Sequence, residues 1–276
     1  MKLKKNRVIV AMLGAAAILL LAQIPLASSN PFEMVYHIAI SVQNLANRTS
    51  SGIGAIKGED KRPPKASRHV FPSPTAPERL GPASIDRDTV ETMLDSLQIR
   101  EKSIVPYERS LFGQRWSDDV SVQYGHDGCG TRDNILNRDL SNVRHRSGTN
   151  GCVVISGDLV DPYTGIPIRF RKGEGSSSAI HIDHVVSLAH AMQVGAESWD
   201  AKTRLNFAND PDNLLATSSQ ANQEKGASDA ANWQPQQAFR CIYAKIQIYV
   251  KYKYGLWATP AEMEALRLSL DQCATT

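Results

Sequence analysis

The stretch spanning residues 179–235 constrains the fold more than any other part of this chain. Residues 179–186 alternate apolar and polar side chains as a β-strand does, and a second short strand is predicted over residues 213–217, after a turn rich in Asp and Pro. Ser218 can then cap a helix whose residues at i+4 and i+7 share one polar face. The order strand, strand, helix predicts a ββα unit.

The polar residues of this unit suit phosphodiester hydrolysis on the plan of a ββα-metal nuclease site. Cleavage needs a base to activate water, and the ordinary pKa of histidine, about 6.5, suits that task. It also needs a cation to neutralise the transition state, and a hard cation such as Mg²⁺ prefers oxygen ligands. We therefore expect Asp183 and Asn222 to bind one divalent cation and His184 to be the general base. Asn213 is expected to orient the imidazole, and Lys225 is expected to be a third catalytic residue.

Adjacent residues on a regular strand point to opposite faces, so Asp183 and His184 can share a site only if the strand twists or ends there. Two other interpretations use the same region. A non-catalytic cell-envelope or DNA-binding module would keep the ββα scaffold without turnover, and a structural zinc domain would use His181, His184 or His190. The complete series of Asp-His, Asn and Asn favours an enzyme, because a binding module does not need all of these groups.

The N-terminal residues have the organisation of a bacterial secretory signal. Basic residues 2–7 precede an apolar stretch over residues 8–22 and a cleavage region of small residues that ends at Ser29. The alternative is an uncleaved anchor, because residues 8–27 approach the ~20 residues that a membrane span needs. Both interpretations place the remaining chain outside the cytosol, either secreted or tethered to the outer face of the cytoplasmic membrane.

The net charge excludes a protein that coats nucleic acid by charge alone. Without the four basic residues of the signal, Lys and Arg fall from 31 to 27, against 28 Asp and Glu. A nucleic-acid substrate, DNA or else RNA, must therefore be bound by a local site, and no obligate protein partner is expected. Candidate contacts are Arg169, Arg171 and Lys172, which precede the strand predicted over residues 179–186, and Lys253, which lies in a segment that mixes Lys and Tyr.

The four cysteines are an even number, which suits an oxidising compartment. Three pairings are possible. The spacing favours Cys129 with Cys152 and Cys241 with Cys273, because each pair closes a short local loop. A cysteine zinc site is disfavoured, since no Cys-x-x-Cys pair occurs.

Composition divides the chain into a signal over residues 1–29, a linker over residues 30–87 and a folded domain over residues 88–276. Six of the fourteen prolines lie between residues 50 and 88, with few large apolar side chains. Elsewhere we predict an N-cap at Asp88, strands over residues 121–124, 152–156 and 166–170, and helices over residues 238–250 and after the N-cap Thr259. The fold class is α+β, a mostly helical domain with short strands and two disulfides around the ββα core.

A series of motifs extends over about residues 105–273. It includes Asp161-Pro162-Tyr163-Thr164-Gly165, Ile182-Asp183-His184-Val185-Val186, Asn213-Leu214-Leu215-Ala216 and Asn222-Gln223-Glu224-Lys225-Gly226. This series resembles the secreted HNH endonucleases of the GmrSD C-terminal type, which belong to the ββα-metal superfamily. The resemblance implies Asp183 and Asn222 as metal ligands, His184 as general base and Asn213 as its support. The expected cation is Mg²⁺. Because Ser187 and His190 depart from the residues usual in that family, Mn²⁺ or Zn²⁺ are alternatives.

Overall fold

The computed structural model describes residues 81–173 and 178–273. The predicted signal segment and the predicted linker up to residue 80 lie outside these ranges. The end of the predicted linker has regular structure, because Gly81–Ser84 forms a 3-10 helix and Ala83 is buried in the main core. The folded part of the chain therefore begins earlier than the sequence indicated.

Helices and short strands alternate along the described residues. The helices are α1 (Arg87–Ser96), α2 (Thr131–Asp139), α3 (Leu188–Gln193), α4 (Ala201–Asn209), α5 (Ser219–Lys225), α6 (Gln237–Tyr254) and α7 (Pro260–Leu270). The strands are β1 (Ser141–His145), β2 (Val154–Val160), β3 (Pro167–Arg171), β4 (Ile180–His184) and β5 (Leu214–Ser218). Short 3-10 helices also occur at Arg109–Phe112, Ala196–Ser198 and Pro211–Asn213. Within the described ranges, no helix is both long enough and apolar enough to cross a membrane.

The strands form two antiparallel sheets. β1, β2 and β3 lie side by side in that order, and β4 pairs separately with β5. In the second sheet Asp183 lies opposite Leu215, and His184 lies opposite Leu214. β4, β5 and α5 follow one another in the predicted order, with α3 and α4 between the two strands. The mixed α+β class is confirmed.

The β4–β5 pair contributes to two hydrophobic cores. A smaller core, shared with α2 and the three-stranded sheet, contains alternate residues of the pair, namely Ile180, Ile182, Leu214 and Ala216. The opposite face of the pair contributes Leu215 to a larger core that surrounds α6. Because successive strand residues alternate between faces, Asp183 lies on the side of the larger core and His184 on the side of the smaller one.

Side-chain caps start several helices. Ser218 and Thr259 are N-caps as predicted, and each accepts a hydrogen bond from the backbone N–H three residues later. The prediction for α1 was wrong by two residues, because its N-cap is Asp86 and Asp88 lies in the first turn. Asp86 uses both carboxylate oxygens, accepting from the Thr89 N–H at 2.8 Å and from its hydroxyl at 2.7 Å.

The strand predictions were correct in two of three places. β3 lies within one residue of its predicted bounds, and β2 begins two residues and ends four residues later than predicted, but residues 121–124 form bends and turns. Tyr124 and His126 have φ values of 68° and 61°, and the Asp118 carboxylate accepts two hydrogen bonds from N–H groups of the same turn. The polar strand β1 was not predicted, because its side chains are largely exposed and its register with β2 is irregular.

Both predicted disulfides are formed. The Cα atoms of Cys129 and Cys152 are 5.2 Å apart, and those of Cys241 and Cys273 are 5.1 Å apart. The second disulfide joins α6 to the residues that follow α7, and Cys273 is part of the larger core. It therefore fixes the C-terminal helix against the helix around which that core is built.

Replacing both Cys241 and Cys273 by Ser should lower the free energy of unfolding by about 3–4 kcal/mol. The disulfide spans 32 residues, and a cross-link over a loop of that length restricts the unfolded chain by about this amount in the chain-entropy description. Urea unfolding followed by circular dichroism measures the change. A loss below about 1 kcal/mol contradicts the expectation.

Candidate active site

Asp183 is the centre of a buried polar cluster between β4 and α5. It is 4% exposed, yet its carboxylate is hydrogen-bonded on both oxygens. The Tyr163 hydroxyl donates to Oδ2 at 2.6 Å, and the Lys225 ammonium donates to Oδ1 at 3.0 Å. Burial raises the pKa of Asp183, and the positive charge of Lys225 opposes that shift. The two donors are what allow a carboxylate to be buried here.

Tyr163 reaches Asp183 because of a turn organised by Asp161. One carboxylate oxygen of Asp161 accepts from the Tyr163 N–H at 3.1 Å and from the Thr217 hydroxyl at 2.6 Å, which attaches the turn to β5. The tyrosine ring packs edge-on against Trp233, with centroids 4.9 Å apart. From the sequence this segment is only a turn, since no local pattern indicates that its tyrosine contacts a distant strand.

Asn222 lies on the face of α5 that meets β4. Its Nδ2 is 3.2 Å from Nδ1 of His181, which is two residues from Asp183 and on the same face of the strand. The amide nitrogen donates to the imidazole, so the amide oxygen of Asn222 points away from His181. Asn222 and Asp183 therefore both belong to the interface of α5 and β4, and each carries an oxygen that can bind a cation.

His184 is the last residue of β4, and its ring lies on the other side of the strand from the Asp183 carboxylate. Its Nε2 is 2.9 Å from the carbonyl oxygen of Ala208. A carbonyl can only accept, so Nε2 carries the hydrogen and Nδ1 is the basic nitrogen. The ring stacks on Trp116, with centroids 6.1 Å apart and planes 11° apart. Burial lowers the pKa of His184 to about 4, so the imidazole is neutral at pH 7.

Asn213 holds the backbone that follows His184. Its Oδ1 accepts from the Val186 N–H at 2.8 Å, and its Nδ2 donates to the Val186 carbonyl at 3.1 Å. Its own carbonyl accepts from the Val185 N–H at 2.8 Å. The expectation that Asn213 orients the imidazole is corrected, because the Ala208 carbonyl has that contact. The amide side chain instead fixes the direction in which the chain leaves β4.

Lys225 lies beneath the site rather than at its surface. The side chain is completely buried, and its ammonium also donates to the His184 carbonyl at 2.9 Å. A buried ammonium that is already bonded on two sides cannot reach a bound substrate, so the predicted catalytic role becomes a positioning role. By bonding the side chain of Asp183 and the backbone of His184, Lys225 fixes these two adjacent residues relative to each other.

Lys253, a predicted nucleic-acid contact, is engaged inside the protein. Its ammonium is 2.7 Å from Asp210 and 2.9 Å from Asp212. Partial burial lowers the pKa of Lys253, but the two carboxylates outweigh this and raise it. Tyr254 also donates to Asp210, at 2.6 Å. These ion pairs account for the position of the Lys253 ammonium without a contact to substrate.

The other predicted contacts lie on or beside β3, in the three-stranded sheet and not in the sheet of His184. Arg169 is 3.6 Å from Asp158, and Lys172 is 3.7 Å from Asp133. Arg171 is exposed at the end of the same strand. The structure does not bring these three residues into contact with Asp183 or His184, and their role in substrate binding stays a prediction.

The three histidines considered for zinc do not come together. His181 contacts an asparagine, His184 a backbone carbonyl and His190 a carboxylate. Their different partners do not support a shared structural metal site.

His190 belongs to a second buried cluster, with Asp229 and Glu262, whose potential ligand atoms lie within 4.8 Å of one another. Lys251 occupies this cluster, because its ammonium is 3.0 Å from Glu262 Oε1 and 3.1 Å from His190 Nε2. The buried carboxylate of Glu262 is therefore paired within the chain.

Comparison with known proteins identifies relatives of the region just described. Residues 130–268 match the family described as GmrSD restriction endonucleases, C-terminal domain. A protein of Arthroderma benhamiae with the name "Uncharacterized secreted protein" is 37% identical over 148 residues, which are 52% of this chain and 68% of the relative. No solved structure matches significantly. The family match includes β4, β5 and α5, and hence the whole cluster around Asp183.

Replacing Lys225 by Met should destabilise the protein by about 3–5 kcal/mol, because Asp183 is then left buried without a positive partner. Adding Asp183→Asn to the same chain should recover a large part of that loss, since neither charge remains. Urea unfolding of the parent, the two single variants and the double variant measures the coupling. Arg267→Ala, which removes an exposed pair with Asp95, is the control and should cost less than about 1 kcal/mol. Additive losses in the double variant contradict a coupled pair.

Proposed function

Because the chain belongs to the family of GmrSD restriction endonuclease C-terminal domains, we propose that it is a metal-dependent endonuclease that hydrolyses phosphodiester bonds in DNA or RNA outside the cytosol. One observation carries the proposal. His184 has its Nε2 fixed by the Ala208 carbonyl, which leaves Nδ1 as a base, and the preceding residue is the buried Asp183, which pairs with Lys225. A general base next to an acidic residue is the pair that metal-assisted hydrolysis of a phosphodiester requires.

Asp183 and Asn222 are the residues proposed to hold the cation. Lys225 approaches both oxygens of Asp183 at 3.0 Å and Tyr163 donates to one of them, so a bound cation would share the carboxylate with these two donors. The Asn222 oxygen is directed away from His181. Carboxylate and amide oxygens suit Mg²⁺, with Mn²⁺ as an alternative. When bound, the cation would supply the positive charge that stabilises the transition state and the leaving oxygen.

His184 is the proposed acceptor of a proton. The oxygen of a water molecule attacks phosphorus, the bond from phosphorus to the 3′ oxygen breaks, and the water proton moves to Nδ1 of His184. The leaving 3′ oxygen takes a proton from solvent, so that the products carry a 5′ phosphate and a 3′ hydroxyl. A phosphate bound beside the ring raises the pKa of the imidazole from its low value in the free protein, which improves it as a base.

The remaining residues of the cluster are proposed to hold this geometry. Lys225 bonds Asp183 and the His184 carbonyl, Tyr163 bonds the second oxygen of Asp183, and Asn213 fixes the chain that follows. Groups that are pre-positioned in this way do not have to be reorganised as the reaction proceeds.

Location outside the cytosol is part of the proposal. The similar protein of Arthroderma benhamiae is named a secreted protein. The two disulfides agree with an oxidising compartment. The signal predicted over residues 1–29 supplies the route of export.

Replacing His184 by Ala should lower the rate of plasmid cleavage in Mg²⁺ by at least about two orders of magnitude, because the proton acceptor is lost. Gel electrophoresis of plasmid, linear DNA and RNA with and without EDTA measures the rate and its metal dependence. His145→Ala, which changes a histidine on β1, is the matched control and should cleave like the parent. Cleavage by His184→Ala at the parental rate would show that the base is another residue.

Replacing Tyr163 by Phe should raise the Mg²⁺ concentration needed for half-maximal cleavage by about 10-fold or more, because the hydroxyl that orients Asp183 is removed. Titration of cleavage rate against Mg²⁺ separates this from a loss of maximal rate. Tyr243→Phe is the control, since it removes a buried tyrosine hydroxyl that makes no hydrogen bond to Asp183. Equal metal requirements for parent and Tyr163→Phe would mean that the hydroxyl serves only packing.

A further inference from the structure

A surface segment over residues 107–116 borders the imidazole of His184. Its last residue, Trp116, stacks on that ring. In its middle, Phe112 is completely buried and packs against Phe207 of α4, with centroids 6.2 Å apart. The same helix provides the carbonyl that bonds His184. The segment and the proposed base are therefore fixed to one helix, and their separation is set by the fold.

This segment carries two positive charges without acidic partners. Among the described residues, neither Arg109 nor Arg115 forms an ion pair. The carboxylate of Glu108 contacts the Ser110 hydroxyl instead, at 3.4 Å. Arg109 donates to a backbone carbonyl at 3.1 Å, and its charge acts on both Arg115 and His184. Two like charges held close together, neither of them paired with a carboxylate, favour the binding of an anion.

An exposed aromatic ring lies in the same segment. Tyr107 is 42% exposed, and its hydroxyl interacts electrostatically with both arginines. Its ring is supported from below by Phe112, with centroids 6.3 Å apart. Aromatic rings of this kind stack on unpaired bases while neighbouring arginines bind the phosphates between them. A duplex offers phosphates to such a surface but keeps the faces of its bases stacked inside.

We propose that Tyr107, Arg109 and Arg115 bind a single-stranded nucleic acid, with phosphates on the two arginines and an unpaired base on the tyrosine. This inference rests on the proposed function and names the form of the substrate that approaches His184. The basic residues on β3 do not provide the same combination, because Arg169 and Lys172 lie close to carboxylates and the ring of Phe170 is buried.

The test measures binding in EDTA, where the proposed cleavage does not occur. Fluorescence anisotropy gives the Kd for a labelled oligothymidine of about 20 nucleotides, for the matching duplex and for oligouridine of the same length. Arg109→Ala with Arg115→Ala should weaken binding of both single strands by about 10-fold or more, and should lower the salt slope by about 1.4, since each phosphate contact on a single strand contributes about 0.7. Tyr107→Ala should weaken single-strand binding by about 5-fold or more with less than about 2-fold effect on duplex, and Tyr107→Trp should retain single-strand binding.

The control is Arg87→Ala with Arg267→Ala, which removes the same charge from residues paired with Asp271 and Asp95. Three outcomes would overturn the inference. The control could lose as much affinity as the Arg109/Arg115 variant, Tyr107→Ala could weaken the binding of single strands and duplex equally, or the parent could fail to bind single strands. A thermal unfolding midpoint equal to that of the parent shows that each variant is folded. Arg115→Ala alone is measured as well, because it leaves the hydrogen bond from Arg109 to the Gly113 carbonyl in place. If the parent binds single strands in this way but His184→Ala does not affect cleavage, the surface stands and the proposed catalysis fails.

Discussion

The buried ion pair of Lys225 and Asp183 is the interaction on which the candidate site depends. Both side chains are almost completely removed from water, and each would be a costly unpaired charge without the other. One residue lies at the end of α5 and the other near the end of β4, so the pair forms only when the helix docks on the strand. The folding of the strand, strand, helix unit and the assembly of its acidic centre are therefore one event.

The same pair fixes the backbone that joins two adjacent strand residues whose side chains lie on opposite faces. Lys225 bonds the side chain of Asp183 and the carbonyl of His184, and Asn213 holds the two residues that follow. The backbone at the end of β4 is thus fixed on both sides of His184. The imidazole is then set by the Ala208 carbonyl and by Trp116, which belong to other parts of the chain.

The sequence was sufficient for what depends on local pattern. The α+β class, the N-caps Ser218 and Thr259, two of the predicted strands and both disulfides follow from spacing, capping residues and cysteine count. The partners of the polar residues were not predictable in this way. Tyr163, Trp116 and the Ala208 carbonyl reach the site through packing between distant segments, and no periodicity in their own segments marks them. For the same reason the burial of Lys225 was missed, since a lysine on a polar helix face has the same pattern whether the face meets solvent or a buried carboxylate.

Charge distribution links the fold to the approach of a polyanion. Outside the predicted signal, basic and acidic residues are nearly equal in number, and Lys225, Lys251 and Lys253 each pair with carboxylates inside the domain. Such lysines stabilise the structure but contribute little field at the surface, because the neighbouring carboxylate cancels their charge. Attraction of a phosphate chain to this protein must therefore come from cations that lack such a neighbour, so the positions of these cations matter more than the net charge. Arg109 and Arg115 are two such cations, and they lie on the segment whose last residue, Trp116, stacks on the imidazole of His184.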